Sequence, residues 1–185
     1  MILIVTSSLR TDSNSRILAH EARRVLERDG VPVTLLDLRE HPLPMCDGDA
    51  AYSHPAVTRA AELVGKASAI LVATPIYNFD ANAAVKNLIE LTGSRWEDKA
   101  VGFLCAAGAM GSYMAIMSLA SCLMLDFRCV VVPRFVYATG DSFTEGRISD
   151  ADVEARVAEL ARATARLGSF LAGKDGIRRA PAGGR

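Results

Sequence analysis

Five short runs of consecutive apolar residues divide the chain: 2–6 (ILIVT), 32–37 (PVTLLD), 69–74 (AILVAT), 100–106 (AVGFLCA) and 129–133 (CVVVP). Each is continuous, not alternating, and is bounded by polar or turn residues. That pattern suits strands covered on both faces, as in a parallel sheet. Between them lie stretches of three-to-four periodicity. In the first, Ile17, Leu18, Ala22, Val25 and Leu26 share a face, while Glu21, Arg23, Arg24 and Glu27 point elsewhere. In the last, Val153, Val157, Leu160, Thr164, Leu167 and Leu171 form a stripe. Ser149 is its expected N-cap, with Asp150 and Asp152 in the first turn. Five strands alternating with five helices predict a doubly wound α/β fold. Right-handed crossovers make it a three-layer sandwich. Two strand orders are compatible with this pattern, 2-1-3-4-5 and a truncated dinucleotide-binding order. One domain is expected over residues 1–172. The segment 173–185, GKDGIRRAPAGGR, reads as a flexible tail.

Composition narrows the partners. In 185 residues, Lys and Arg total 21 and so do Asp and Glu. Zero net charge argues against a protein built around nucleic acid or an anionic membrane. It also disfavours a small electron carrier that docks through surface charge. The longest uncharged run, Gly111 to Leu125, contains Ser112, Ser118 and Ser121 and falls short of a membrane span. The opening MILIVTSS reads as a strand, not a leader. The four cysteines form no CxxC pair and no metal spacing, so they read as small core residues in a reducing compartment, and the cytoplasm is the expected location. His20, His41 and His54 read as surface or core-edge residues.

In an open parallel sheet, ligands bind beyond the carboxyl ends of the strands where strand order switches. Three loops qualify. After strand one comes SSLRTDSNSR, where Ser8, Ser13 and Ser15 offer hydroxyls and Arg10 a guanidinium fork. A helix N-terminus adds backbone N–H groups and a favourable dipole, so this loop suits a terminal phosphate. The glycine-rich fingerprints for a pyrophosphate or a nucleoside triphosphate are absent. A plain polar turn with Asp12 or Ser13 as helix cap is the simpler reading of the same residues. After strand three comes TPIYNFDAN. There Pro75 is expected to stop the strand, and Tyr77, Asn78 and Phe79 are placed to pack a flat ring. After strand four comes AAGAMGSY, with Gly108 and Gly111 permitting close backbone approach.

These segments resemble the NADPH-dependent FMN reductase family of flavodoxin-like proteins, which includes quinone, azo-dye and chromate reductases. The family's opening GSxRxxSxxxxL is similar to SSLRTDSNSRIL here. Its PxYNxxxPxxLKNxID is similar to PIYNFDANAAVKNLIE, which keeps Pro75, Tyr77, Asn78, Lys86, Asn87 and Ile89. The stretch WEDKAVGFLCAAGAMGS and the later FTEGRISD are also similar, so the likeness covers residues 2–171. It implies a flavodoxin-like sandwich with a five-stranded parallel sheet in order 2-1-3-4-5. It further implies FMN as cofactor and NADPH or NADH as electron donor. The phosphate contacts would fall on Ser8, Arg10, Ser13 and Ser15. Ribityl and ring contacts would fall on Pro75, Ile76, Tyr77, Asn78 and Phe79, and on Gly108, Ala109, Gly111 and Ser112. Ser7 stands where the family has glycine, and Asn82-Ala83 where Pro-Gly is common.

The implied activity is hydride transfer from a nicotinamide through FMN to a small-molecule acceptor: a quinone, azo dye, metal oxyanion or free flavin. No protein acid or nucleophile is then required. The alternatives are a flavodoxin-type electron carrier and a non-catalytic FMN-binding module. The stretch Gly111–Leu125 has only hydroxyls at its polar positions and three methionines, Met114, Met117 and Met124. A peripheral helix of that composition is expected to meet a partner subunit, and the family likeness implies homodimers or homotetramers.

Overall fold

In the computed structural model the described residues are 1–173. The expected mobile tail otherwise lies outside them. Strands β1 (Ile2–Thr6), β2 (Val33–Asp37), β3 (Ala69–Tyr77) and β5 (Ala100–Ala107) run parallel in the order β2-β1-β3-β5. The fifth position is shared by β6 (Val130–Val131) and β7 (Val136–Thr139), both parallel to β5. This is the 2-1-3-4-5 order, and the fold is flavodoxin-like. A short β4 (Asp80–Ala81) turns back on β3, and β8 (Phe143–Thr144) pairs with β9 (Arg147–Ile148) in a hairpin.

Helices α1 (Asn14–Arg28) and α5 (Ala151–Ala172) cover one face of the sheet. Helices α2 (Pro55–Lys66), α3 (Ala83–Thr92) and α4 (Met117–Phe127) cover the other. The apolar runs lie between these layers: Leu3, Ile4, Val5, Ile70, Leu71, Val72 and Leu104 are fully buried. Helix α5 lies so close to the sheet that a Cβ on Gly168 would fall 2.5 Å from the Ala69 Cβ and 2.9 Å from the Ser68 carbonyl.

Four local expectations are corrected. The fifth strand is not one run over 129–133. Pro133 and Arg134, whose φ is 61°, break it, and it resumes at Val136. Strand β3 does not stop at Pro75 but continues to Tyr77. The Ala73 carbonyl accepts from Ser7 N–H on the β1 side, and Pro75 faces that same side two residues later. The β1 ladder ends at Thr6–Ala73, so the proline's missing N–H removes no strand partner. The N-cap of α5 is Asp150, which accepts from Asp152 N–H and Val153 N–H. Ser149 instead closes the hairpin, its N–H donating to the Ser142 carbonyl and its hydroxyl bonded to Thr144.

The fourth correction concerns the uncharged run. The helical stretch Met110–Phe127 has 18 residues and a mean hydropathy of 1.4, long and apolar enough by those measures to cross a membrane. It is a 3-10 segment, Met110–Ile116, followed by α4, with Ser112 outside helical geometry. Its inner side (Ala115, Ile116, Leu119, Ala120 and Leu123) belongs to the sandwich core. Its outer side leaves Met114, Met117, Met124 and Leu125 exposed.

Candidate functional site: a cleft over three strand ends

Strand β1 delivers the chain to Ser7 and Ser8, both buried, and the connection closes on α1. Ser13 is the N-cap, its hydroxyl accepting from Arg16 N–H, and it lies 2.9 Å from the Ser15 hydroxyl. The Arg10 N–H donates to Ser8 Oγ, while the Arg10 guanidinium is exposed and has no partner among the described residues. Arg16, at the start of α1, organises the turn. Its Nε donates to Asp37 Oδ2 at 2.7 Å, and its terminal nitrogens donate to the carbonyls of Arg10, Thr11 and Ser8 at 2.8–2.9 Å. Three carbonyl dipoles are thereby engaged by a cation and repel an incoming anion less. Burial alone would raise the Asp37 carboxyl, but the bonds from Arg16 and from Arg39 N–H outweigh it and hold it below the usual carboxylate range. Sequence reasoning missed Arg16. The available signal was an arginine in the first helical turn and an acid ending the neighbouring strand.

Strand β3 ends in a two-residue hairpin in which Tyr77 faces Asp80. Both central residues have positive φ, 51° at Asn78 and 63° at Phe79, the geometry of a type I′ turn. Asparagine tolerates that geometry; phenylalanine is strained there. Below the turn, Asn82 ties two loops together. Its Oδ1 accepts from Ser7 Oγ at 2.7 Å and Thr74 Oγ1 at 3.1 Å, and its Nδ2 donates to the Ser7 carbonyl at 2.8 Å. Two of the positions that depart from the family pattern, Ser7 and Asn82, are therefore bonded to each other. Asn87 anchors a separate loop, donating to the Pro44 carbonyl and accepting from Cys46 N–H.

Strand β5 ends at Ala107 and runs into the 3-10 segment. The Tyr137 hydroxyl on β7 donates to the Ala109 carbonyl at 2.7 Å and fixes this loop to the sheet edge. Burial raises the Tyr137 phenol, partly offset by a hydrogen bond with Ser112. The three loops enclose an open cavity of about 700 Å³, a size in the range of small-molecule and cofactor sites. Ser8, Arg10, Ser13 and Ser15 form one wall; Pro75, Ile76, Tyr77 and Asn78 form a second; Gly108 lies on the third. A Cβ on Gly108 would meet no protein atom within 4 Å, so a side chain there would take ligand space. Phe79, Ala109, Gly111 and Ser112 lie outside the wall. Asp12, Asn14, Ala106, Ala107 and Gly140 complete it. Gly140 was missed because it follows β7, the unrecognised half of the fifth strand.

Residues 1–144 match the model of the NADPH-dependent FMN reductase family. The chain belongs to this family. It is 33% identical over 144 residues to an NAD(P)H-dependent FAD/FMN reductase of Geobacillus thermodenitrificans (strain NG80-2), covering 76% of this chain and 77% of that one. Among solved structures it is similar to the apo form of the NADH:FMN oxidoreductase EMOB, with a TM-score of 0.75, 18% identity, and 90% and 88% of the two chains covered. It is also similar to FerB, a flavoenzyme NAD(P)H:(acceptor) oxidoreductase from Paracoccus denitrificans, with a TM-score of 0.75, 19% identity, and 91% and 97% covered. At those identities the structures speak to the fold alone. Family membership makes the protein an NAD(P)H-dependent FMN oxidoreductase with a small-molecule electron acceptor. The donor set fits the cofactor: hydroxyls, an unpaired guanidinium and a helix N-terminus at one end suit a phosphate. At the other end Tyr77, Asn78 and the open face at Gly108 suit a flat ring.

Proposed function

We propose that the cavity seats FMN with its phosphate on Ser8, Arg10, Ser13 and Ser15 and its ring between the β3 turn and the loop after β5. Pro75, Ile76, Tyr77 and Asn78 border the ribityl chain and ring. Phe79, Ala109, Gly111 and Ser112 are contacts made once the cavity is filled. The reading rests on one observation: an unpaired guanidinium and three buried serine hydroxyls converge at the N-terminus of α1, beside a cavity wide enough for a planar ring.

Bound FMN supplies the hydride chemistry. The chain's part is to bind and orient. Arg10 and the α1 N-terminus offset the phosphate charge, and Arg16 holds the loop that presents them. The Asn82 bridge sets the spacing between the phosphate loop and the ring loop. In this proposal donor and acceptor take turns at one open face of the cavity, the arrangement that gives ping-pong kinetics. A quinone, azo dye, metal oxyanion or free flavin suits so open a site.

The exposed side of α4 meets a second copy of the chain in this proposal, giving a homodimer or homotetramer. Support comes from an 18-residue apolar stretch of which only 28% is buried, beginning two residues after Gly108 on the cavity wall. The cytoplasm is the proposed location, since the four cysteines are free and Cys46 and Cys122 are only half-buried. The decisive experiment is reconstitution of the full chain with FMN, followed by flavin retention in wild type and Arg10→Ala. The variant should lose FMN affinity about tenfold or more, the worth of one charge-assisted bond, with little change in thermal stability. Unchanged retention would place the phosphate elsewhere.

A further inference from the structure

A second cavity, of about 310 Å³, lies at the sheet edge between the 3-10 segment, β7 and the first turns of α5. Three aromatic rings and two arginines meet at its wall. Tyr113 stacks on Phe135 with centroids 4.9 Å apart and meets Tyr137 edge-on at 5.3 Å. Arg134 and Arg156 border the same space. Glu159 is their acidic neighbour, 3.9 Å from each, at the outer limit of an ion pair and largely exposed. Two cations therefore share one loosely held carboxylate. Arg156 donates to the Arg134 carbonyl at 2.6 Å, which steadies the break in the fifth strand. Arg134 itself is held at φ 61°, an uncommon backbone for arginine.

This cavity shares two structural elements with the first. Gly108 lines the first and Tyr113 the second, five residues apart on one loop. On β7, Val136 borders the second, and Gly140, just past the end of that strand, borders the first. The four steps from Val136 to Gly140 span about 13 Å at roughly 3.3 Å per residue. The Tyr137–Ala109 bond braces the ridge between them. A dinucleotide is long enough to reach across.

We infer that this aromatic, doubly cationic cavity receives the adenosine end of the nicotinamide donor and reads its 2′-phosphate, selecting NADPH over NADH. Adenine takes the exposed face of Tyr113, which is 42% accessible. The 2′-phosphate takes Arg134 and Arg156, where guanidinium forks match phosphate oxygens and Glu159 neutralises only part of the charge. The inference rests on the FMN-reductase reading, because it assigns that reaction's donor.

The test uses FMN-loaded full-length protein with one acceptor and both donors. In Arg156→Ala and Arg134→Ala, the ratio of KM for NADPH to KM for NADH should rise about tenfold, one charge-assisted bond. Arg156→Lys should recover part of the preference, which a loss through misfolding would not. Tyr113→Ala should raise both KM values and leave their ratio unchanged. Adenosine 2′,5′-bisphosphate should compete with NADPH in wild type and lose potency in the arginine variants, while 5′-AMP should be weak in all of them. A ratio that does not move in either arginine variant overturns the inference, as does equal potency of the two nucleotides. If the wild type oxidises neither donor, the FMN-reductase reading itself has failed, a result distinct from either.

Discussion

Removing the Asn82 side chain separates the two loops it joins. In Asn82→Ala, Ser7 Oγ keeps the Ala73 carbonyl at 3.2 Å and Thr74 Oγ1 keeps the Pro75 carbonyl at 3.2 Å, so both hydroxyls retain a partner. The Ser7 carbonyl loses the Nδ2 donor that reached it at 2.8 Å, inside a site where Ser7 is fully buried. A stranded buried acceptor costs about 1–3 kcal/mol. The lost Oδ1 bonds bring the total to about 2–3 kcal/mol. For a chain of this size that is a Tm decrease of roughly 4–12 °C. Ser7→Ala alone removes the one hydroxyl proton that Asn82 Oδ1 and the Ala73 carbonyl share and should cost about 1 kcal/mol. The double variant isolates the Ser7–Asn82 bond, with an expected coupling of about 1 kcal/mol in urea unfolding at unchanged slope. FMN affinity should fall with Asn82→Ala although Asn82 is not on the cavity wall. Additivity within about 0.3 kcal/mol would show that the two positions act independently and would refute the bridge.

Asp37 has a lowered pKa in the folded chain, so its contribution is fully present above the unfolded value near 3.8 and is lost as pH falls below it. The stability gap between wild type and Asp37→Asn should be flat from pH 7 to about 5 and shrink below 4; a gap that does not change with pH would remove the ion pair from the account. Gly168→Ala should destabilise by about 1–2 kcal/mol, since overpacking against the Ser68 backbone outweighs the gain in helix propensity. A thermal melt that rises would show that α5 can lift off the sheet. If α4 carries the proposed subunit interface, Leu125→Lys, at a residue 85% exposed, should shift the chain toward monomer in sedimentation without lowering its Tm; a wild type that is already monomeric, or a mass unchanged by the substitution, would remove that interface.

Much of the frame was legible because buried parallel strands write themselves as unbroken apolar runs. The first four strands lie within a few residues of their expected places, and the loop that opens α1, with Ser8, Arg10, Ser13 and Ser15 on the cavity wall, was legible as a loop beyond a strand end. What escaped depended on partners distant in sequence. Pro75 reads as a strand stop until it is known that β1 has already ended beside it. The run Val136–Thr139 is four residues of alternating burial, too short to signal a strand without β5 next to it. Gly140 was lost with it. Ser7 and Asn82 each looked like a departure from a pattern, and only their 2.7 Å contact shows that they belong together. Asn82 occupies the N-cap position of α3 yet makes no side-chain cap bond, because its amide is turned toward β1.

The broken fifth strand also bears on what the molecule avoids. A sheet edge is a row of unpaired donors and acceptors, ready to template another chain. Here that edge is two pieces, Val130–Val131 and Val136–Thr139, parted by a proline and a left-handed arginine. An incoming strand finds no ladder longer than four residues and a cationic side chain at the gap. Edge-to-edge polymerisation, and the fibrous aggregation that follows from it, is thereby discouraged on this side of the molecule.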